Sequence, residues 1–231
     1  MKTIGMIGGM SWESTTTYYQ LVNRLTRDRL GGLHSAQLLL WSFDFAAIEA
    51  LQMAGDWGQA TEEMVVAARR LEQGGADCLL ICTNTMHKMA ADVQSAVNVP
   101  LLHIADATAL ALKSDRIEKP LLLGTRFTME EDFYLGRLRD QHDVAAITPD
   151  AGGRDTVHRV IYDELCQGIV SEASRRLYVD IVDTEIASGA DGVILGCTEV
   201  GLLLRPQDVS APLYDTTELH AKAAVDFALS T

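Results

Sequence analysis

The sequence predicts an α/β protein made of two pseudo-symmetric three-layer α/β domains with parallel sheets. Three observations predict it. First, one stretch occurs twice. Gly75-Ala76-Asp77-Cys78-Leu79-Leu80-Ile81-Cys82-Thr83-Asn84-Thr85 returns as Gly189-Ala190-Asp191-Gly192-Val193-Ile194-Leu195-Gly196-Cys197-Thr198-Glu199, with Thr83 and Cys197 in the same place of each copy. Second, short apolar runs bounded by glycine or proline alternate with amphipathic helical segments, the pattern of parallel sheets covered by helices. Third, the spacings repeat: Gly8 to Gly75 nearly matches Gly124 to Gly189, and Thr83 to Pro100 nearly matches Cys197 to Pro212. The duplication puts one domain over residues 1–104 plus 213–231 and the other over 105–212.

Taken in order, Lys2–Ile7 reads as a strand ending in Gly8-Gly9-Met10-Ser11, where Ser11 can cap a helix over Trp12–Arg29 that Gly31-Gly32 ends. Gln37–Trp41 reads as a second strand. Asp44 caps a helix over Phe45–Met53, and a longer helix over Gln59–Gln73 stops at Gly74-Gly75. Cys78–Cys82 is the next strand, followed by helix to Val97 and a short strand over Val99–His103. The second half restarts with the strand Pro120–Thr125, a helix over Met129–Gln141 and a strand over Val144–Thr148. Pro149–Gly153 reads as a loop, and helices follow over Thr156–Leu165 and Glu172–Ser188. Gly192–Gly196 is the strand of the second copy, Pro212-Leu213-Tyr214 mirrors Pro100-Leu101-Leu102, and a closing helix runs over Glu218–Leu229.

Composition narrows the function classes. A hydrophobic share of 48% and a charged share of 22% are ordinary for a globular protein. The net charge of −13 argues against a nucleic-acid or anionic-membrane partner, because phosphates would be repelled. Apolar runs are strand-sized, too short to span a bilayer, and the N-terminus lacks a signal-peptide pattern. A cytoplasmic location is expected, with Cys78, Cys82, Cys166 and Cys197 reduced. Gly8-Gly9 lacks the dinucleotide-binding spacing. Cys78 and Cys82, four residues apart on a strand, stand about 13 Å apart at about 3.3 Å per residue, too far to share a metal, so both read as core. Cys166 reads as packing, His87 as structural support, and Trp12 and Trp57 as packing or dimer surface.

In parallel α/β sheets ligands bind beyond the carboxyl ends of the strands. Four loops lie there: Gly8–Ser11, Thr83–Thr85, Gly124–Thr128 and Cys197–Glu199. If the duplicated domains face one another, the active site lies in the cleft between them and Thr83 and Cys197 approach it from opposite sides. Helix N-termini following these loops can bind a carboxylate and lower a thiol's pKa. Opposed groups flanking a small carboxylic acid suit proton transfer at one carbon, one face losing a proton as the other gains one. For Cys197 the plain alternative is a small core residue, and for Thr83 a helix-capping hydroxyl.

Ile7-Gly8-Gly9-Met10-Ser11, Cys82-Thr83-Asn84-Thr85-Met86-His87 and Leu195-Gly196-Cys197-Thr198-Glu199 resemble the aspartate/glutamate racemase family, and more narrowly its aspartate-racemase branch, which includes broad-specificity amino-acid racemases. The resemblance covers essentially the whole chain. It implies a cofactor-independent, pyridoxal-free and metal-free racemase, usually dimeric, with a cysteine of each domain as acid and base. It implies that Asn84, Thr85 and Thr198 hold the α-carboxylate and amine, with Met10, Ser11, Thr125 and Glu199 beside them. Glu199, where glutamate racemases typically carry His, favours the aspartate branch.

Two positions depart from the pattern. Thr83 stands where the first cysteine is usual, and a hydroxyl is a poor base. Cys197 is then expected to deprotonate L-substrates readily, with the reverse direction handicapped. The Arg and Lys usual for a distal carboxylate fall near Phe45 and Cys166, so Arg126 is the replacement; with Arg126 turned elsewhere, neutral side chains would suit the pocket. Alternatives are a one-cysteine decarboxylase or cis–trans isomerase of the same superfamily, and a small-molecule binding module that has lost catalysis.

Overall fold

Every strand pairing among the described residues of the computed structural model, which cover residues 1–230, is parallel. Thr231, the last residue of the expected first domain, lies outside the described residues. The chain divides into two units, Met1–Ile104 with His220–Thr231, and Ala105–Leu219. The second boundary therefore falls at 220 rather than at the 213 expected from sequence. The reason is strand pairing: Leu213–Asp215 lies in register beside Gly192–Gly196 and belongs with it.

In the first unit β1 (Ile4–Gly8) lies between β2 (Leu38–Ser42) and β3 (Cys78–Ile81). Side chains alternate along β1 and β3 with period two, which separates them onto two faces. Ile4, Met6, Cys78 and Leu80 pack with Tyr18 and Val22 of α1 (Trp12–Leu30) and with Ala224 and Val225 of the last helix, Thr216–Leu229. Ile7, Leu79 and Ile81 pack on the opposite face with Met64, Ala67 and Leu71 of the helix Trp57–Gln73. Burying each large apolar side chain on both faces contributes about 1.5–3 kcal/mol, and that is why these strands read as continuous apolar runs. Cys82 belongs to the α1 face, one residue out of step with Thr83, and burial pushes its thiol far up. Burial likewise raises the Cys78 thiol to about 12.

The remaining helices of this unit follow their caps. Phe45–Ala54 (α2) starts at Asp44, which accepts from Ala46 N–H, and Trp57–Gln73 (α3) starts at Asp56, which accepts from Gln59 N–H. The stretch after β3 is a 3₁₀ turn, Thr85–Met89, leading into α4 (Ala90–Ser95).

The second unit orders its strands β4 (Pro120–Gly124), β5 (Gly192–Gly196) and β6 (Leu213–Asp215). α5 (Ile104–Ser114) opens it. The single helix expected over 129–141 is two, α6 (Arg126–Glu130) and α7 (Asp132–His142), with Glu131 extended between them. Asp132 then sits in the first turn of α7, where the helix dipole favours a carboxylate. α8 (Ala151–Asp163) begins inside the stretch expected to be loop, because Asp150 caps it through Gly153 N–H. α9 (Glu172–Ala187) packs Tyr178 and Val182 on Leu121, Leu123, Val193 and Leu195. The short α10 (Val200–Leu203) and the closing α11 (Thr216–Leu229) complete the chain.

The strands expected at 99–103 and 144–148 are reduced to single parallel bridges, Leu79 to Leu101 and Leu121 to Ile147. Helix starts at Ile104 and proline at 149 leave no length for more. Counting those bridges, both units share one order: the Leu101 bridge is the counterpart of β6, and the Ile147 bridge the counterpart of β2.

The duplicated Gly-Ala-Asp has a structural purpose. Gly75 and Gly189 take φ of 96° and 98°, a left-handed conformation that favours glycine. Ala76 and Ala190 are buried, and each aspartate clamps the start of the neighbouring strand. Asp77 accepts from Thr3 N–H at 2.6 Å, and Asp191 from Glu118 and Lys119 N–H at 2.7 and 2.9 Å. These carboxylate bonds fix the register that carries the loop residues to the opposite end of the sheet.

An ion cluster stiffens the second unit. Asp106 on α5 accepts from Arg137 Nε and Nη2 at 2.6 and 2.7 Å and pairs with His142 Nε2 at 2.8 Å. Partial burial works to raise the Asp106 pKa, but the Arg137 and His142 contacts outweigh it and hold the carboxyl below the usual range. The carboxylate's contribution is therefore present above its unfolded pKa and lost as pH falls through the lower folded value. Asp106→Asn is expected to cost about 1–2 kcal/mol at neutral pH, discounted for the pair's partial exposure. Urea unfolding of both proteins checks this: the gap should be full at pH 7 and shrink as pH falls below the unfolded carboxyl's range.

Candidate active site

In the first unit the site residues stand at the carboxyl ends of the adjacent strands β1 and β3. Beyond β1, Gly9 has φ 84°, and a Cβ there would lie 2.3 Å from Phe43 N, so only glycine lets the turn approach the end of β2 this closely. Thr15 fastens the turn by accepting from Gly9 N–H at 2.7 Å. Met10 is buried, the Met10–Ser11 peptide is cis, and Ser11 caps α1 by accepting from Ser14 N–H. Ser14 Oγ in turn donates to Cys82 O at 3.3 Å, tying this turn to the end of β3. Thr83 follows as a half-buried residue, and Asn84 and Thr85 are buried at the start of the 3₁₀ turn. Met10, Ser11, Thr83, Asn84 and Thr85 are thus gathered at one end of one sheet.

Sequence reading passed over Gln52. It is buried on α2 one turn beyond Ile48, and its Nε2 donates to Met86 Sδ at 3.1 Å. A thioether is a weak acceptor for an amide. The signal was legible: an amide on the apolar face of an amphipathic helix.

In the second unit β4 and β5 run in register, Gly124 opposite Gly196, so their loops emerge side by side. Thr125 caps α6, accepting from Thr128 N–H, and shares a hydroxyl contact with Thr128 at 3.1 Å. Arg126 does not stay at the sheet end: its guanidinium pairs with Asp155 at 2.8 Å, both side chains about half exposed. Cys197 is half-buried, and its Sγ donates to Glu199 Oε2 at 3.0 Å. Glu199 is itself buried. Thr217 Oγ1 donates to Thr198 Oγ1 at 3.4 Å. Thr217 N–H is held in turn by Asp215 at 2.8 Å, so the end of β6 braces the Cys197–Glu199 loop from the side.

The electrostatics of Cys197 reverse the sequence expectation. A helix N-terminus was expected to lower its pKa. The following helix, α10, has four residues, too short for a substantial dipole. Burial, the Glu199 carboxylate and the nearby Cys166 instead push the thiol well above its ordinary value. What stands here is a thiol with its proton aimed at a carboxylate. Such a pair can hand the proton to Glu199 and become a thiolate when a positive charge arrives. Cys166 packs beside Cys197 against the second unit's core. Among the described residues no group of three His, Cys, Asp or Glu could hold a metal ion, and no helix is long and apolar enough to cross a membrane.

Known proteins resemble this chain over nearly its whole length. The Asp/Glu/hydantoin racemase family model matches residues 7–224. A broad-specificity amino-acid racemase of Bacillus subtilis is 22% identical over 235 residues, covering 96% of each chain. Among solved structures, a Yersinia pestis protein assigned to the Asp/Glu racemases is 52% identical with a TM-score of 0.94, covering 100% of both chains. An aspartate racemase homologue from Pyrococcus horikoshii is 32% identical with a TM-score of 0.87, again over 100% of both. With a match that runs from the end of β1 into the closing helix, the chain belongs to the Asp/Glu/hydantoin racemase family.

Proposed function

We propose that this protein is an amino-acid racemase that needs no cofactor, moves the α-proton by thiol chemistry, and favours L-substrates. The observation that carries the reading is the Cys197–Glu199 hydrogen bond at 3.0 Å, in a duplicated loop whose equivalent residue in the other copy is Thr83. The α-ammonium of an amino acid brings the positive charge that favours thiolate at Cys197. Glu199 accepts the Sγ proton, and the thiolate then takes the α-proton of the L-isomer. Thr83 delivers its Oγ1 proton to the opposite face and regains one from water, and the proton held by Glu199 is released to solvent to neutralise the hydroxide so formed. Donation suits a hydroxyl facing a carbanion, whereas taking a proton from carbon does not. Asn84, Thr85 and Thr198 hold the carboxylate and amine, with Met10, Ser11 and Thr125 around them, and N–H donors at the loops stabilise charge as it develops on the carboxylate.

The side chain is set less tightly than the α-centre. Arg126 is engaged by Asp155, although an exposed pair worth about 0–1 kcal/mol is easily exchanged for another carboxylate. Acceptance of both acidic and neutral side chains follows. We propose cytoplasmic action as a homodimer, consistent with an acidic chain having no use for nucleic acid or membrane. Chiral chromatography after incubation with each L-amino acid tests the reading. The D-isomer should accumulate from aspartate or glutamate and from at least one neutral substrate. Carbon dioxide released from malonates without any D-isomer formed would favour a decarboxylase, and ligand-induced thermal stabilisation without turnover a binding module.

A further inference from the structure

We infer that His87 is a positioning residue for Thr83, holding the backbone from which the Thr83 hydroxyl is presented; the inference rests on the racemase reading above. His87 is 2% exposed, and both ring nitrogens have backbone partners. Nδ1 lies 2.8 Å from Thr83 O, and Ile104 N–H donates to Nε2 at 3.2 Å. A carbonyl carries no proton, so Nδ1 must donate. An amide N–H cannot accept, so Nε2 must be bare. The two contacts together select one neutral tautomer and set the ring's orientation.

The consequence falls on Thr83. Its carbonyl lies just beyond the last residue of β3, and the imidazole replaces the ladder bond with a side-chain bond. Fixing that peptide fixes the direction of the Thr83 Cα–Cβ bond, leaving one torsion to place Oγ1. The ring is itself wedged: His103 lies tilted against it at 4.5 Å between centroids and His220 meets it edge-on at 5.6 Å. His220 is pinned by Tyr18 OH at Nδ1, 2.9 Å, and by Leu102 O at Nε2, 2.7 Å. Three buried histidines thus form a rigid backing for one loop.

The second unit has no such side chain. The place four residues after Cys197 is Gly201, as His87 is four after Thr83. A Cβ at Gly201 would come within 3.1 Å of Asp215 Oδ2. The device therefore serves the hydroxyl side alone. A thiol is a large, polarizable nucleophile beside its own base, whereas a hydroxyl delivering a proton depends more on placement.

Two substitutions separate the contacts. His87→Asn keeps an amide N–H where Nδ1–H stands, and His87→Gln sets an amide oxygen where Nε2 stands. In D₂O with the best L-substrate, two rates are read from the full-length enzyme: inversion to the D-isomer, which needs Thr83, and α-proton exchange with retention, which needs Cys197 only. The ratio of inversion to exchange is independent of how much protein folds. His87→Gln should lower it by about tenfold and His87→Asn should leave it within about twofold of wild type. An unchanged ratio in His87→Gln, however far both rates fall, overturns the inference, as does an equal loss in His87→Asn. A wild type showing neither exchange nor inversion contradicts the racemase reading itself and takes this inference with it.

Discussion

Cys197→Ser is expected to lose α-proton exchange from L-substrates by about a thousandfold or more, with the fold intact. A serine hydroxyl fits the space and can still donate to Glu199, so packing against the second unit's core changes little. What disappears is the thiol that the proposal makes the base once it has passed its proton to Glu199, a step a serine hydroxyl cannot make, and general-base and nucleophilic groups contribute about 10²–10⁴-fold to rate. Proton NMR of L-substrate in D₂O reads the loss directly. Retained exchange in this variant would move the base elsewhere, and Glu199, 3.0 Å from the sulfur, would be the first place to look.

Thr83→Cys should act in the opposite sense and raise the exchange of D-substrates by about tenfold or more. The half-buried position receives a second thiol at the place equivalent to Cys197. A thiol ionises where a hydroxyl does not, so the handicapped direction gains a competent base while the L-direction is little affected. Exchange rates of both enantiomers, compared before and after substitution, check this. A D-exchange rate that stays at the wild-type level would mean that the chemical identity of residue 83 does not limit the reverse reaction.

The sequence carried the duplication because the constraint behind it is local. A positive-φ glycine, a buried alanine and a carboxylate that binds backbone N–H groups must recur wherever this strand entry recurs, and Gly75–Asp77 and Gly189–Asp191 do so. The parallel direction of the strands was legible too, since continuous apolar runs alternating with helices are the pattern of parallel sheets. The break at Glu131 was not, because Met129–Gln141 is helical by periodicity and the interruption depends on where Asp132 finds a helix start. The boundary at 220 was missed because the proline-led segment at 212 looks like its mirror at 100, while only the former has the length to pair as a strand.

For the site, the loops could be named from spacing but their electrostatics could not. Whether Cys197 is a thiolate depends on which way the Glu199 side chain turns, a tertiary fact. It turns toward the sulfur, and burial with that carboxylate raises the thiol rather than lowering it. Arg126 was named for its place after β4, but Asp155 one turn into α8 takes its guanidinium. Gln52 and His87 owe their positions to neighbours distant in sequence, Met86 and Ile104.

We propose that two units of the same strand order contribute unlike groups, a thiol with its base at Cys197 and a hydroxyl at Thr83. The most direct measurement is α-proton exchange in D₂O, begun separately from pure L- and pure D-enantiomer of the same substrate. Exchange should be rapid from the L-isomer and slow from the D-isomer, differing by about tenfold or more. Equal rates from the two enantiomers would contradict it.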